Sequence, residues 1–196
     1  MLTSGCAKLD GILYTHEHAD HTAGLDDIRP FFFRQGDIPI FAHERVVASL
    51  KKRYDYIFTE GEKYPGVPTV TINTVCNNAP FAIGNKTAIP IKVLHGRLEI
   101  FGYRIDDFAY LTDVKTVPDE EAEKLQGLKV LVVSALRIEP HESHLNLDEA
   151  LNLIARIKPE KAYLTHISHL LGFHEEVEAQ LPENVFLAYD NLQITL

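Results

Sequence analysis

The feature that most constrains this chain is the run His16-Glu17-His18-Ala19-Asp20-His21, which follows directly on an apolar stretch, LDGILYT, at 9–15. Two histidines at i and i+2, then an aspartate and a third histidine, cannot all share one face of a helix or one face of a strand, whose side-chain periods are 3.6 and 2.0. They converge only if the chain turns as soon as the strand ends. Imidazole and carboxylate suit Zn, Mn or Fe, and four such groups within six residues supply half or more of the ligands for a two-metal site. The competing reading is a polar loop that is merely rich in histidine. It asks nothing of the rest of the sequence, whereas a metal site asks for more donors further on.

The remaining chain alternates strand and helix signals. The run 23–31 (AGLDDIRPF) reads as helical until Pro30 stops it. A strand is expected at 38–42, then one helix over 43–58 with Val46, Val47, Leu50 and Tyr54 at helical spacing. Strands are expected at 69–75, 88–96, 98–106 and 108–113, each β-branched or aromatic and bounded by turn residues. The fully apolar KVLVVSA at 129–135 reads as a strand buried on both faces. Asn146-Leu147-Asp148-Glu149 resembles a capping box opening a helix with Leu147, Leu151 and Ile154 on one face, ended by Pro159. A strand at 161–166, a short helix over 173–181 and one or two last strands within 184–196 complete the order. Strands mixed with helices, with donor residues at strand ends, describe an α/β layered domain, and one domain over 1–196 is the default for this length.

Composition narrows the partners. A formal charge of −9 repels polyanions at long range, so non-specific wrapping of nucleic acid is not expected. A small anionic substrate stays open, because bound divalent ions dominate the field inside a pocket. Cys6 and Cys76 are the two cysteines, in no metal-ligand spacing, which fits a reducing cytoplasm better than a disulfide framework. No apolar run approaches the roughly 20 residues of a membrane span, and no secretory signal pattern opens the chain.

The HxHxDH pattern after an apolar strand resembles the signature of the metallo-β-lactamase superfamily. The resemblance runs from about Leu9 to the C-terminus and continues in order: His95 in IKVLHG, Asp113 in FAYLTDV and His166 in AYLTHISH each follow an apolar run. It implies that one metal takes His16, His18 and His95, the other takes Asp20, His21 and His166, and Asp113 bridges them. Two divalent ions about 3.5–4 Å apart would then clamp a bridging hydroxide and stabilise an in-line displacement. Zn or Mn is expected, with Fe or Ni acceptable to the same donors. Asp20 would hold the nucleophile as well as bind metal.

The stretches THEHADHTAGLDDIRPF, AYLTDV, SHLNLDEAL, YLTHISH and LAYDNLQI look closest to the phosphodiesterase branch, which includes the cyclic phosphodiesterase of phosphonate breakdown and the tRNA 3′-end endonucleases. That likeness implies a small or cyclic phosphodiester substrate, with His144 as general acid on the leaving oxygen and His141 as the competing candidate. His169 stands three residues after His166, where the phosphonate-pathway enzyme carries a structural zinc ligand, but the cysteines that complete that site are absent and Cys6 lies in no matching context. The alternatives are a thioester, lactone or β-lactam hydrolase on the same site, or a metal-binding fragment without turnover. The family fold is an αβ/βα sandwich with strands ahead of the motif. Only about eight residues precede strand 9–15 here, so an N-terminally truncated domain is expected, with either a homodimer through the exposed sheet edge or reduced stability.

Overall fold

The computed structural model describes residues 5–196. The chain divides into two compact units, Met1–Asn85 and Lys86–Leu196.

In the first unit, β1 (Ile12–Leu13), β2 (Ile38–Ala42) and β3 (Val70–Thr74) form a parallel sheet in that order, with Ile12 beside Ile40 and Ile40 beside Ile72. Parallel neighbours need crossover connections. α1 (Ala19–Thr22), a 3₁₀ segment (Ala23–Ile28) and α2 (Arg29–Gln35) supply the first; α3 (Glu44–Arg53) and α4 (Asp55–Phe58) supply the second. Their apolar faces bury Leu25, Ile28, Phe31, Val46, Leu50 and Ile57 against Ile38 and Ile40. β4 (Phe81–Ile83) ends the unit, with Phe81 stacked on Phe41 at 4.7 Å between ring centroids.

Three details depart from the sequence reading. Strand 9–15 shrinks to two ladder residues, the rest being extended chain held by Tyr14 N–H donating to the Phe41 carbonyl. Pro30 does not stop a helix but lies in the first turn of α2, where its missing N–H costs no intrahelical bond. The helix over 43–58 is two, because Tyr54 (φ −122°) leaves helical geometry between them.

The second unit is built on β5 (Lys86–His95), β6 (Leu98–Ile105), β7 (Phe108–Leu111), β8 (Val130–Ser134), β9 (Lys161–Thr165) and β10 (Val185–Leu187), in the spatial order β10-β9-β8-β7-β6-β5. β5–β6 and β6–β7 are antiparallel; from β7 to β10 the strands are parallel. β8 is buried at every position, as its unbroken apolar run requires. α5 (Asp119–Glu123) was not legible in the sequence; α6 (Leu147–Ile157) and α7 (His174–Glu178) were. The capping box forms: Asn146 Oδ1 accepts from Glu149 N–H, and Glu149 Oε2 accepts from Asn146 N–H. α6 buries Ala150, Leu153, Ile154 and Ile157, while Leu147 and Leu151 are only partly covered, so the buried face is rotated from the expected one. Lys158 closes the helix in the left-handed region (φ 57°), and Pro159 follows. A single strand, β10, lies within 184–196. Among the described residues no helix is long and apolar enough to cross a membrane.

Candidate metal centre

In the first unit the chain leaves β1, stays extended through His18, and enters α1, whose first turn carries Asp20. This is the abrupt turn the motif demanded, and it gathers all four donors. His16 is fully buried; its Nδ1 lies 3.0 Å from Thr15 Oγ1 and its Nε2 lies 3.0 Å from His18 Nδ1. The rings of His16 and His21 are 4.3 Å apart, and His21 Nε2 is 3.3 Å from Asp20 Oδ2. Two imidazole nitrogens that close match one edge of a coordination shell with bonds of about 2.0–2.1 Å.

The second helix pair holds this turn in place. Arg45 Nε donates to Glu17 Oε1 at 2.8 Å, Arg53 donates to Thr22 Oγ1 at 2.5 Å, and the Tyr54 hydroxyl donates to the Thr22 carbonyl at 3.0 Å. Thr22 Oγ1 in turn donates to the His18 carbonyl at 2.9 Å. Burial acts to raise the Glu17 pKa, but its own backbone N–H and Arg45 outweigh it and hold the carboxyl below its usual range. None of these supports was predicted. Helical spacing located Tyr54, but nothing in a sequence says which loop a helix braces.

In the second unit the donors sit where parallel strands end, the usual place for a site in such sheets. Asp113 follows β7 and His166 follows β9; both are non-glycine residues in the left-handed region, at φ 55° and 54°. Such strain of order 1–3 kcal/mol per residue collects at functional sites. Asp113 is buried, accepts from Thr112 Oγ1 at 2.8 Å, and lies 3.2 Å from His166 Nε2. His144 Nδ1 is 4.0 Å from Asp113 Oδ2, and its ring lies 4.5 Å from that of His95 and 5.2 Å from that of His166. Asp113, His144 and His166 each bring one donor atom to within 4.8 Å of the others. Burial pushes His144 down to about 4; Asp113 opposes this, and His95, His166 and His141 add to it.

His95 ends β5, and its Nδ1 lies 2.8 Å from the Ser143 carbonyl. A carbonyl only accepts, so Nδ1 carries the proton and Nε2 is the acceptor nitrogen, the tautomer that metal-bound histidines show. The approach of residue 143 needs Gly96 (φ 60°), since a β-carbon there would lie 3.2 Å from Ser143 Cβ. The N–H of Ser143 donates to His141 Nδ1 at 3.2 Å, and the His141 ring is 4.9 Å from that of His144. His43 caps α3 and His174 opens α7, as helix-start residues, while His169 is exposed.

The donor chemistry, the fixed tautomer of His95 and the strained strand ends all fit divalent metal. The β-lactamase superfamily domain matches residues 2–167. The chain belongs to the metallo-β-lactamase superfamily. It has that superfamily's fold, a mixed α/β arrangement, and members of the superfamily are usually hydrolases. Among solved members, a diphosphatase of the PhnP family is 38% identical to this chain over its full length, covers 74% of its own, and superposes with a TM-score of 0.89. The short form of human tRNase Z is 16% identical over 98% of this chain and 80% of its own, with a TM-score of 0.71, a likeness of fold. An octanoyltransferase of Porphyromonas gingivalis is 35% identical over 193 residues, 98% of this chain. The chain spans only 39% of that relative's length.

Proposed function

We propose that this chain is a metal-dependent phosphodiesterase hydrolysing a small or cyclic phosphodiester. The observation that carries the reading is His144. It is an imidazole beyond the ligand set that the motif implies, and it stands in one cluster with His95, Asp113 and His166. A poor alkoxide leaving group needs such a proton donor more than a thiolate does. The 38% identity to a diphosphatase over the whole chain supports phosphorus chemistry.

From the family motif we assign His16, His18 and His95 to one divalent ion, Asp20, His21 and His166 to a second, and Asp113 to both; Zn or Mn is the expected metal. When bound, such ions supply Lewis acidity and an activated water. The chain's own groups do the rest. Thr112 and the Ser143 carbonyl orient Asp113 and His95. Asp20 would hold the nucleophile, and His144, whose pKa burial lowers to about 4, would pass a proton to the departing oxygen once the anionic phosphodiester beside it raises its affinity for one.

A second reading keeps the site and changes the bond to a thioester, lactone or β-lactam. It is favoured by the octanoyltransferase relative, although most of that protein lies outside the match. The test is turnover of bis-p-nitrophenyl phosphate beside a p-nitrophenyl acyl ester, on metal-quantified protein with Mn or Zn added. Metal-dependent phosphodiester turnover abolished in Asp20→Ala supports the proposal. His144→Ala should cost about 10²-fold or more on a cyclic nucleotide and less on the p-nitrophenyl ester, whose leaving group needs no acid. Acyl turnover alone selects the second reading, and a protein that binds no metal sinks both.

A further inference from the structure

We propose that His144 is itself a metal ligand in the substrate-free protein, holding a divalent ion together with Asp113 and His166. The proposal goes beyond the phosphodiesterase reading, in which His144 is an acid only. It rests on the site holding metal and not on which bond is cleaved. All three residues belong to the second unit.

Each of the three brings one donor atom to within 4.8 Å of the others. His166 Nε2 is 3.2 Å from Asp113 Oδ1, and His144 Nδ1 is 4.0 Å from Asp113 Oδ2. Donors bound to one ion at about 2.0–2.2 Å stand about 3–4 Å from one another at ordinary coordination angles. Both spans fall in that range, and the two oxygens of Asp113 face different imidazoles. His144 Nδ1 is buried and makes no hydrogen bond, and 4.0 Å is too far for one to Asp113. Buried polar atoms are nearly always partnered, so this nitrogen calls for a ligand from outside the chain. Two imidazoles and one carboxylate, with a coordination position left open, are a donor set known to hold catalytic Zn or Fe(II).

The backbone fixes these donors before any ion arrives. Asp113, His144 and His166 stand on three separate loops, which main-chain hydrogen bonds tie together. Leu145 N–H donates to the Val114 carbonyl at 2.8 Å, Leu136 N–H to the Leu145 carbonyl at 3.0 Å, and Ser168 N–H to the Leu136 carbonyl at 2.9 Å. The residues next to His144 and Asp113 are thus bonded directly, and Leu136 joins both to the residue two beyond His166. Asn146 Nδ2 fastens the start of α6 to the Ile138 carbonyl at 2.8 Å. Donors held in this way lose little conformational entropy on binding. His141 differs: its ring is 4.9 Å from that of His144, but its Nδ1 accepts from Ser143 N–H and it lies outside the trio.

A nitrogen that holds an ion carries no proton. His144 is therefore a ligand until substrate displaces it, and only then is it open to the acid role.

The experiment titrates Co(II) into the metal-stripped full chain against a competing chelator, with no substrate present. It uses wild type, His144→Ala, His144→Cys and His141→Ala, with melts in chelator to confirm that each folds. His144→Ala should weaken one ion at least about 10-fold, the smallest loss expected when even a supporting group is removed, and should alter the visible Co(II) absorption. His144→Cys should gain a thiolate-to-cobalt charge-transfer absorption that wild type lacks, which only a residue bound to the ion can produce. His141→Ala should match wild type in affinity and spectrum. Unchanged affinity in His144→Ala, an equal loss in His141→Ala, or no charge-transfer absorption in His144→Cys overturns the proposal. Phosphodiester turnover is assayed separately. Its absence beside the expected Co(II) results would end the phosphodiesterase reading and leave the ligand standing, whereas turnover with unchanged Co(II) binding in His144→Ala would leave His144 an acid alone.

Discussion

Replacing His166 by valine and, separately, by asparagine isolates the cost of its backbone. Both changes delete the imidazole and its 3.2 Å contact with Asp113, so they share that loss. They differ in how they tolerate φ 54°. Left-handed geometry costs an ordinary L-residue about 1–2 kcal/mol, asparagine visits it readily, and a β-branched side chain there is a genuine outlier. The side chain is 24% exposed, so valine recovers only part of its burial energy. The valine variant should therefore be less stable than the asparagine variant by about 1–2 kcal/mol. For a chain of this size that is a gap of about 2–8 °C in melting midpoint. Thermal unfolding in chelator at matched scan rate reads it without interference from metal. The same pair at Thr165, one residue earlier and inside β9, should give the opposite order, since valine suits a strand and asparagine does not. If the two His166 variants melt together, or the order is the same at both positions, the claim that the site holds a strained backbone is wrong.

Metal should stabilise the folded chain: at a thousandfold excess over Kd each ion adds about 4 kcal/mol, and a midpoint that does not move on Zn or Mn addition contradicts the proposed ligands. Gly102→Ala would press a β-carbon against Leu111 Cδ2 and within 2.7 Å of the Tyr110 carbonyl, and should cost about 1–3 kcal/mol in denaturant unfolding; an unchanged midpoint refutes it. Asn146→Ala removes the cap of α6 and should cost about 1 kcal/mol by the same assay. Burial acts to raise the Glu149 pKa, but Lys115, 2.7 Å away, and the Asn146 N–H lower it overall. Its contribution is therefore complete above the unfolded carboxyl pKa of about 4.3 and is lost as pH falls through the lower folded value. The pair is partly exposed, so the gap between wild type and Glu149→Gln should be below about 1 kcal/mol near neutrality and close below pH 4; a gap that widens with acid rejects the sign.

The candidate donors were legible because the residue types that metals take stand here at a distinctive spacing. His16, His18, Asp20 and His21 at that spacing require a turn, and the chain makes it between His18 and α1. His95, Asp113 and His166 could be found by asking for histidine or aspartate after apolar runs. The Asn146 box and the buried run at 130–134 were legible for the same reason, since each is a local rule with one residue-level signature. What escaped was whatever depends on a partner distant in sequence. Ser143 acts through its carbonyl, which any residue would supply. Arg45, Arg53 and Tyr54 brace the motif from 28 to 36 residues away. Pro30 misled because proline bars a helix interior but suits a first turn, and only the neighbouring backbone decides between them.

The backbone of Ser143 has a consequence for how such a protein can change. Its carbonyl sets the ring of His95 and its N–H sets the ring of His141, with His144 next along the chain. Proline alone at 143 would remove the N–H and no substitution removes the carbonyl, so a change of residue there costs only the hydroxyl, whose Oγ lies 3.3 Å from His141 Nδ1. An insertion or deletion between 141 and 144 is another matter, because it would disengage both rings and displace the third in one step. Over evolutionary time this loop should tolerate new letters far better than a new length.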